Sequence, residues 1–358
     1  MGFQLSNQAI GDFMEGFEEL IGFNKRYPYS KDVYRQMQHW FITNNPDDGM
    51  FFPSSELHEL KPNITTQFIQ SNLARNQDRE VLNTEFNSYC WSLHTFGAWR
   101  NTLGIYRIDP DIFEQVTTSP IPADTPTTIF TRLPEWCVYL DIPHKLMHVH
   151  DDGTRSMMSG FWALFDTVEM AGKTMRTLNI LFNVSNRENS PFNKIQPVKI
   201  IIEEGMTVET SVLAMYTKYK TLDSMNDEDK KESLKNDIEG ATTLLSLLLW
   251  LCAEEPDISN INGEPVTPEQ MRLPKYSRNK KTGVFVPPSH PTIYEIGKRL
   301  GGEVRQFNKE HGHSDSRASS RKRPHIRRGH WHGVWKGVGQ DKQFSIYWQP
   351  AIFVNTTL

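Results

Sequence analysis

One long segment, residues 226–255, constrains the fold of this 358-residue chain more than any other. Its apolar residues lie three or four positions apart, as one face of an α-helix requires. They are Leu234, Ile238, Ala241, Leu245, Leu248 and Cys252. The C-terminal half of the segment is apolar on nearly every side, so we expect it to lie deep in a protein core. Its longest apolar run, residues 244–253, is too short to cross a bilayer, so we expect a soluble protein of one large or two ordinary domains.

The rest of the pattern predicts both helices and strands. A second amphipathic helix is predicted over residues 79–104, and a third is predicted to begin near Pro291. Short apolar runs bounded by turn residues predict strands at 136–142, 160–170, 177–184 and 198–203. With a turn at residues 150–153, these strands are typical of an antiparallel meander. Two further strand-like segments, 324–336 and 343–355, flank turn-forming residues and predict a hairpin.

These elements predict an α+β fold, with an antiparallel sheet flanked by several helices and a C-terminal β-hairpin. We expect a helical N-terminal segment (1–60), an α+β body (61–310) and a basic, aromatic hairpin (311–358) packed on that body. The N-terminus has neither the basic region nor the apolar run of a signal peptide, so we expect a cytoplasmic protein without membrane contact. Cys90, Cys137 and Cys252 lie far apart in apolar runs without a CxxC motif, which favours buried free thiols.

Charge is distributed unevenly along the chain. Residues 275–336 contain fifteen Lys and Arg against four Asp and Glu, which is a net charge of +11. Because the whole chain carries −4, the remaining residues carry −15. A chain polarised in this way usually has a local binding surface for an oppositely charged partner.

The basic segment also contains tryptophans, and basic residues interleaved with aromatic ones suit single-stranded nucleic acid. The candidate nucleic-acid-binding or ribosome-binding residues are Arg321, Arg323, His325, Arg327, Arg328, His330, Trp331, His332 and Trp335. The alternation of a strand predicts two faces, with Trp331 and Trp335 on one and Arg328, His330 and His332 on the other. Three interpretations stay open: a hairpin with core tryptophans and a solvated basic face, a contact with nucleic acid, and a contact with an acidic protein surface.

Enzymatic motifs are few in this sequence. His330 and His332 are candidate catalytic residues for RNA cleavage, because two histidines can flank a phosphodiester and titrate near neutral pH. The chain has no P-loop, GxSxG, HExxH or dinucleotide-binding motif, so we expect a binding protein that needs no cofactor. The run from His148 to Asp152 lacks a further partner at a metal-ligand spacing, which favours a surface turn over a metal site.

A second candidate site is an acidic and aromatic groove for a basic peptide. Its candidate peptide-binding residues are Trp99, Arg100, Tyr106, Trp136, Tyr139, Trp162, Asp166 and Glu169. The alternative is that the tryptophans belong to the core and that the carboxylates face solvent.

Six longer strings of this sequence carry a family resemblance: residues 96–106, 133–139, 249–258, 279–283, 323–333 and 348–355. They resemble the second class of type V-A anti-CRISPR proteins, which phages and plasmids encode. The resemblance covers most of the chain, from about residue 29 to residue 355. The stretches 144–154 and 216–234 depart from the family pattern, and the N-terminus is longer.

The resemblance implies a protein that suppresses biogenesis of the type V-A effector nuclease, Cas-twelve-a. Members of this family recognise the N-terminal polypeptide of the effector during translation, and the message being translated is lost. The partners implied are that peptide and, through the basic tail, the mRNA or the ribosome, which are polyanionic. The alternatives are a ribonuclease that cuts the message through its histidine pair, and a plasmid-borne nucleic-acid-binding protein unrelated to CRISPR.

Overall fold

The structure is a computed structural model that describes residues 15–44, 50–72, 79–149, 155–170, 172–185, 197–219, 227–271, 277–278, 285–311 and 325–354. The helices in these ranges are α1 Glu15–Arg26, α2 Ser30–Asn44, α3 Lys61–Asn72, α4 Arg79–Trp99, α5 Pro110–Thr118, α6 Val208–Tyr219, α7 Asp227–Cys252, α8 Pro268–Met271 and α9 Lys298–His311. Short 3-10 helices lie at Ser54–His58, Thr127–Arg132 and Gly339–Asp341. The predicted long helix is confirmed as α7, and the second predicted helix is confirmed as α4.

The helix α4 ends at Trp99, earlier than its apolar pattern predicts, because the chain turns at residues 100–103. Leu103 adopts a φ of 51°, which is the left-handed region. The indole N–H of Trp99 then donates a hydrogen bond of 2.9 Å to the carbonyl of Gly104. This bond satisfies the buried indole and directs the chain into the next strand.

The strands are β1 Gly104–Ile108, β2 Cys137–Val149, β3 Arg155–Met170, β4 Lys173–Ser185, β5 Pro197–Ile201, β6 Ile258–Asn260, β7 Ser277–Arg278, β8 Phe285–Val286, β9 Thr292–Ile296, β10 His325–Arg327, β11 His330–Lys336, β12 Gln343–Gln349 and β13 Ile352–Val354. Seven of them form one sheet in the order β5-β4-β3-β2-β1-β9-β6. Within it, β2, β3 and β4 pair antiparallel, with Tyr139 opposite Trp162 and Trp162 opposite Leu181. The predicted meander is therefore confirmed. The predicted turn at residues 150–153 lies outside the described residues.

The C-terminal hairpin is also confirmed, because β11 and β12 pair antiparallel from His330–Gln349 to Lys336–Gln343. A second antiparallel pair, β10 with β13, is formed by the segments that flank this hairpin in the sequence. The predicted strand 324–336 is interrupted at residues 328–329. At this break the Gly329 N–H donates to the Gln115 side-chain oxygen at 2.9 Å, and a Cβ on Gly329 would lie only 2.6 Å from the Trp348 ring.

The prediction of a helix that begins near Pro291 is wrong for the first residues of that segment. Residues 292–296 form strand β9, and the helix α9 begins only at Lys298. The run Thr292, Ile293 and Tyr294 favours extended backbone, since β-branched and aromatic side chains pack well on a pleated surface. Gly297 separates the two elements with a φ of 71°, a conformation that glycine adopts without strain.

The chain divides into two compact units. Unit 1 consists of Met1–Tyr106, Glu135–Lys199 and Arg272–Ile293, and unit 2 of Arg107–Pro134, Ile200–Met271 and Tyr294–Leu358. The core of unit 1 is an aromatic cluster from α1, α2, α4 and strands β2–β4. The core of unit 2 surrounds the C-terminal half of α7, which contacts α5, α6, the 3-10 helix Thr127–Arg132 and β12. The predicted segments 1–60, 61–310 and 311–358 stay a prediction.

Candidate peptide-binding and nucleic-acid-binding sites

Five of the predicted peptide-binding residues are buried in unit 1. They are Trp99, Tyr106, Trp136, Tyr139 and Trp162, each at most 3% exposed. The Trp162 ring lies 4.7 Å from that of Tyr139 and 6.0 Å from that of Trp99, between ring centroids. These distances are those of packed aromatic side chains. In the structure these five residues therefore line the core of unit 1 rather than a surface groove, and their part in binding stays a prediction.

The three charged residues of the predicted groove have separate environments. Arg100 is half-buried, with its guanidinium carbon 4.9 Å from the centre of the Tyr34 ring, and this burial lowers the pKa of Arg100. Asp166 is buried, whereas Glu169 is exposed and accepts a hydrogen bond from the Thr174 hydroxyl. The structure thus does not gather the eight predicted residues into one surface.

Asp166 is the centre of a buried polar network. Its carboxylate accepts hydrogen bonds from the Ser54 N–H at 2.7 Å and the Ser54 hydroxyl at 2.6 Å. It also accepts from the Asn179 side chain and the Thr167 N–H, each at 2.8 Å. Burial raises the pKa of Asp166, but nearby His94 and the hydrogen bonds from Ser54 and Thr167 outweigh it and hold the pKa below its ordinary value. The network fixes the start of the 3-10 helix Ser54–His58.

Beside this 3-10 helix lies an open, mainly apolar cleft of about 300 Å³, which we call the unit 1 cleft. It is lined by Ser54, Leu57, Ile64, Phe86, Asn87, Cys90 and Trp91. Trp91 is half-buried, and the Lys199 ammonium lies 4.5 Å from the centre of its ring. Burial lowers the pKa of Lys199, while Asp166 acts in the opposite direction. The cleft therefore has mainly apolar walls, and one of its lining residues, Trp91, has a cation against its ring.

Sequence reasoning missed this cleft, although a signal for it exists. Phe86, Asn87, Cys90 and Trp91 are spaced by one, three and one positions along α4. Residues at this spacing lie on one face of a helix. The core stripe of the same helix passes through Tyr89, and Phe86, Cys90 and Trp91 form an apolar face beside it, with the exposed Asn87 at its edge. This second group of apolar residues was visible in the sequence.

The C-terminal hairpin has two distinct faces, as the strand alternation predicts. On the inner face, Trp331 is 4% exposed and lies 5.0 Å from Trp348 and 5.8 Å from Trp250, between ring centroids. Its indole N–H donates to the Ser246 hydroxyl at 2.8 Å. Trp335, the next tryptophan on this face, is 45% exposed and donates its indole N–H to Asp124 at 2.9 Å. Trp331 therefore anchors the hairpin on α7.

The basic residues of the hairpin point to solvent. Arg327, Arg328, His330 and His332 are exposed. Arg328 also lines a polar cleft of about 480 Å³ together with Glu114, Thr117 and Asn308, among others. His325 lies in β10, and its side chain is outside the described part, as are Arg321 and Arg323. The prediction that these residues contact nucleic acid stays a prediction.

The three cysteines differ in their exposure. Cys137 and Cys252 are buried and form no disulfide, as predicted, but Cys90 is half-buried because it lines the unit 1 cleft. Across the described ranges, no group of three or more His, Cys, Asp or Glu residues could hold a metal ion. The His148 side chain and residues 150–154 lie outside those ranges. None of the described helices has the length and apolarity needed to cross a membrane.

The strings that carry the family resemblance meet inside each unit. In unit 2, Trp250, Trp331 and Trp348 come from three different strings and pack together. In unit 1, the buried carboxylate of Glu135 accepts hydrogen bonds from the Thr102 hydroxyl at 2.7 Å and the Tyr106 hydroxyl at 2.9 Å, which joins two more strings. Many of the residues that carry the resemblance therefore belong to the cores of the two units.

Comparison with known proteins gives a consistent result. A model of the AcrVA2-like family, described as the anti-CRISPR type V subtype A2 family, matches residues 106–356. The chain is similar to the crystal structure of AcrVA2, with 36% sequence identity, a TM-score of 0.73 and coverage of 95% of this chain and 99% of that one. A comparison with curated protein sequences gives no match. Because the family model covers more than half of the chain, the chain belongs to the AcrVA2-like family of type V subtype A2 anti-CRISPR proteins.

Proposed function

We propose that this anti-CRISPR protein blocks production of the type V-A effector nuclease by recognising the effector's N-terminal polypeptide during translation. Recognition leads to loss of the effector message, in the cytoplasm of the bacterial host. The protein acts as a binding protein rather than an enzyme in this proposal. Family membership supports the anti-CRISPR activity, and the resemblance described above supports recognition of the nascent chain.

The observation that carries peptide recognition is the unit 1 cleft. Its apolar walls and its half-buried Trp91 are what an apolar side chain of a bound peptide requires. Burying one such side chain contributes about 1.5–3 kcal/mol. Lys199, beside Trp91, supplies a cation that can pair with a peptide carboxylate. This site differs from the acidic groove expected from the sequence, since its described lining residues are uncharged.

The basic C-terminal hairpin supports the second half of the proposal. A protein that acts on a message during translation meets mRNA and ribosomal RNA, both polyanions. Arg327 and Arg328 are exposed and supply positive charge, and the exposed imidazole of His330 follows them two residues later in unit 2. The mRNA or the ribosome is therefore the proposed second partner.

A reporter experiment in bacteria tests the proposal. The first codons of the effector are fused to a fluorescent protein, and its message is measured with and without the anti-CRISPR protein. We expect loss of message that survives synonymous recoding of those codons and disappears when a frameshift changes the encoded peptide. Loss that follows the nucleotide sequence instead would contradict recognition of the peptide.

Variants of the cleft then connect the activity to the site. Asn87 is exposed and lines the cleft, so Asn87→Trp fills the cleft without disturbing the core, whereas Asn87→Ala leaves it open. We expect Asn87→Trp to abolish message loss and Asn87→Ala to retain it. Purified protein incubated with the message, with and without EDTA, is expected to leave the RNA whole. If the RNA is cleaved, and if His330→Ala and His332→Ala abolish this cleavage, the protein is a ribonuclease instead.

A further inference from the structure

The solvent-facing side of the β11–β12 pair, which we call the outer hairpin face, combines aromatic and basic side chains. Its exposed and half-buried residues are His330, His332, Val334, Lys336, Gln343, Tyr347 and Gln349, whereas Ser345 on the same side is buried. Residues directly opposite each other in an antiparallel pair point to the same side of the sheet. His332 lies opposite Tyr347 and His330 lies opposite Gln349, so an imidazole and a phenol stand next to each other on this face.

Tyr347 is the residue of this face that sequence reasoning missed. It is half-buried, with the Lys336 ammonium 4.8 Å from its ring centre and hydrogen-bonded to its hydroxyl. The tryptophans expected to stack on bases behave differently, because Trp331 is packed against Trp250 and Trp348 on the inner face. The aromatic surface that this pair of strands offers to a ligand on its outer side is therefore that of Tyr347 and the two histidines.

The charge around the outer hairpin face is mainly positive. Lys336 lies on the face, and Arg327 and Arg328 are exposed just before β11. Two carboxylates, Glu254 and Glu255, also act on Lys336, and that of Glu254 is paired with Arg132 at 2.7 Å. Successive residues on one side of a strand lie about 6–7 Å apart. The side chains of the outer hairpin face are therefore spaced along the strand, as contacts with an extended ligand require.

We propose that the outer hairpin face binds single-stranded RNA, with a base stacked on Tyr347 and phosphates held by Lys336, Arg327 and Arg328. Unpaired bases stack on tyrosine and histidine, whereas the bases of a duplex are already stacked on each other. Arginine and lysine bind the phosphates without regard to base sequence. This inference rests on the proposed function, in which the protein meets a translated message, and names the surface that does so.

Fluorescence anisotropy with the full-length protein tests this inference. The probe is a labelled oligouridylate of about 12 nucleotides, within the range that a single-strand binding module covers. We expect wild-type binding that weakens between about 50 and 200 mM salt. Tyr347→Ala should weaken binding by about tenfold, which corresponds to the loss of one stacked base. Tyr347→Phe keeps the ring and should stay within about twofold of wild type, since it removes the hydroxyl alone.

The matched control is Tyr29→Ala, because Tyr29 is an exposed tyrosine of unit 1. It should bind the RNA as wild type does. If thermal unfolding shows that Tyr347→Ala is not folded, Tyr347→Leu, which keeps apolar volume without a ring, replaces it in the comparison. The inference is overturned if the ring-less variant binds as tightly as wild type, or if duplex RNA or polyglutamate displaces the probe as well as unlabelled single strands do. Because no effector peptide is present, such a failure leaves peptide recognition untouched.

Discussion

The substitution Trp331→Ala tests whether the hairpin is anchored through its inner face. Trp331 is almost completely buried between Trp250 and Trp348 and donates its indole N–H to Ser246. Replacing a buried tryptophan by alanine costs about 3–5 kcal/mol, from lost burial and from the cavity that remains. Of this, the hydrogen bond to Ser246 accounts for about 1 kcal/mol.

These magnitudes translate into a measurable loss of thermal stability. For a folding unit of this size, each kcal/mol shifts the midpoint by about 2–4 °C, so Trp331→Ala should lower it by about 6–20 °C. Trp331→Phe keeps most of the ring and should cost about 1–2 kcal/mol, from the lost hydrogen bond and the smaller ring. The matched control is Trp335→Ala, at the half-exposed tryptophan of the same face, and we expect a loss of no more than about 1 kcal/mol. Circular dichroism melting curves of the variants give the comparison. Equal midpoints for Trp331→Ala and Trp335→Ala would refute the anchoring role.

Three further predictions concern single positions. Asp166→Asn leaves buried donors without a charged acceptor and should cost about 1–3 kcal/mol in chemical denaturation. The pKa of Asp166 in the folded protein lies below its ordinary value, so the ionised carboxylate stabilises the fold above about pH 4. This stabilisation is lost as the pH falls through the folded pKa. On acidification, Asp166→Asn should therefore lose less stability than the wild type does. Gly297→Ala places a Cβ 2.8 Å from the Ile112 side chain at a φ of 71° and should lower the melting midpoint, whereas a neutral result would refute the strain argument. In native protein a maleimide should modify Cys90 alone of the three cysteines, and mass spectrometry should find this labelling slowed in Asn87→Trp.

The sequence alone predicts those parts of the fold in which local pattern and burial agree. The helix α7 is such a part, because the C-terminal half of this helix is apolar on nearly every side and is stable only when it is buried in a core. The strands β2, β3 and β4 are another, since their apolar runs are bounded by turn residues and pair in chain order. The strand β9 was missed because Ile293, Ile296 and Leu300 also fit a helical spacing, and only the left-handed Gly297 separates strand from helix.

The candidate site is less predictable from the sequence, because residue type does not say which face of an element meets solvent. Tryptophan suits both a core and a ligand surface, and in unit 1 Trp99, Trp136 and Trp162 belong to the core while Trp91 reaches the cleft. In the hairpin, alternation correctly separates Trp331 from His330 and His332. The alternation within one strand could not predict the position of Tyr347, because Tyr347 lies beside the histidines only through the pairing of β12 with β11.

The most direct test of the central claim is the affinity of the purified protein for a synthetic copy of the effector's N-terminal peptide. Isothermal titration with wild type, Asn87→Trp and Asn87→Ala compares a filled cleft with an open one. The account predicts roughly micromolar or tighter binding to wild type and Asn87→Ala, and at least about tenfold weaker binding to Asn87→Trp. Absence of binding to wild type, or equal binding to all three proteins, would contradict recognition of the peptide at the unit 1 cleft.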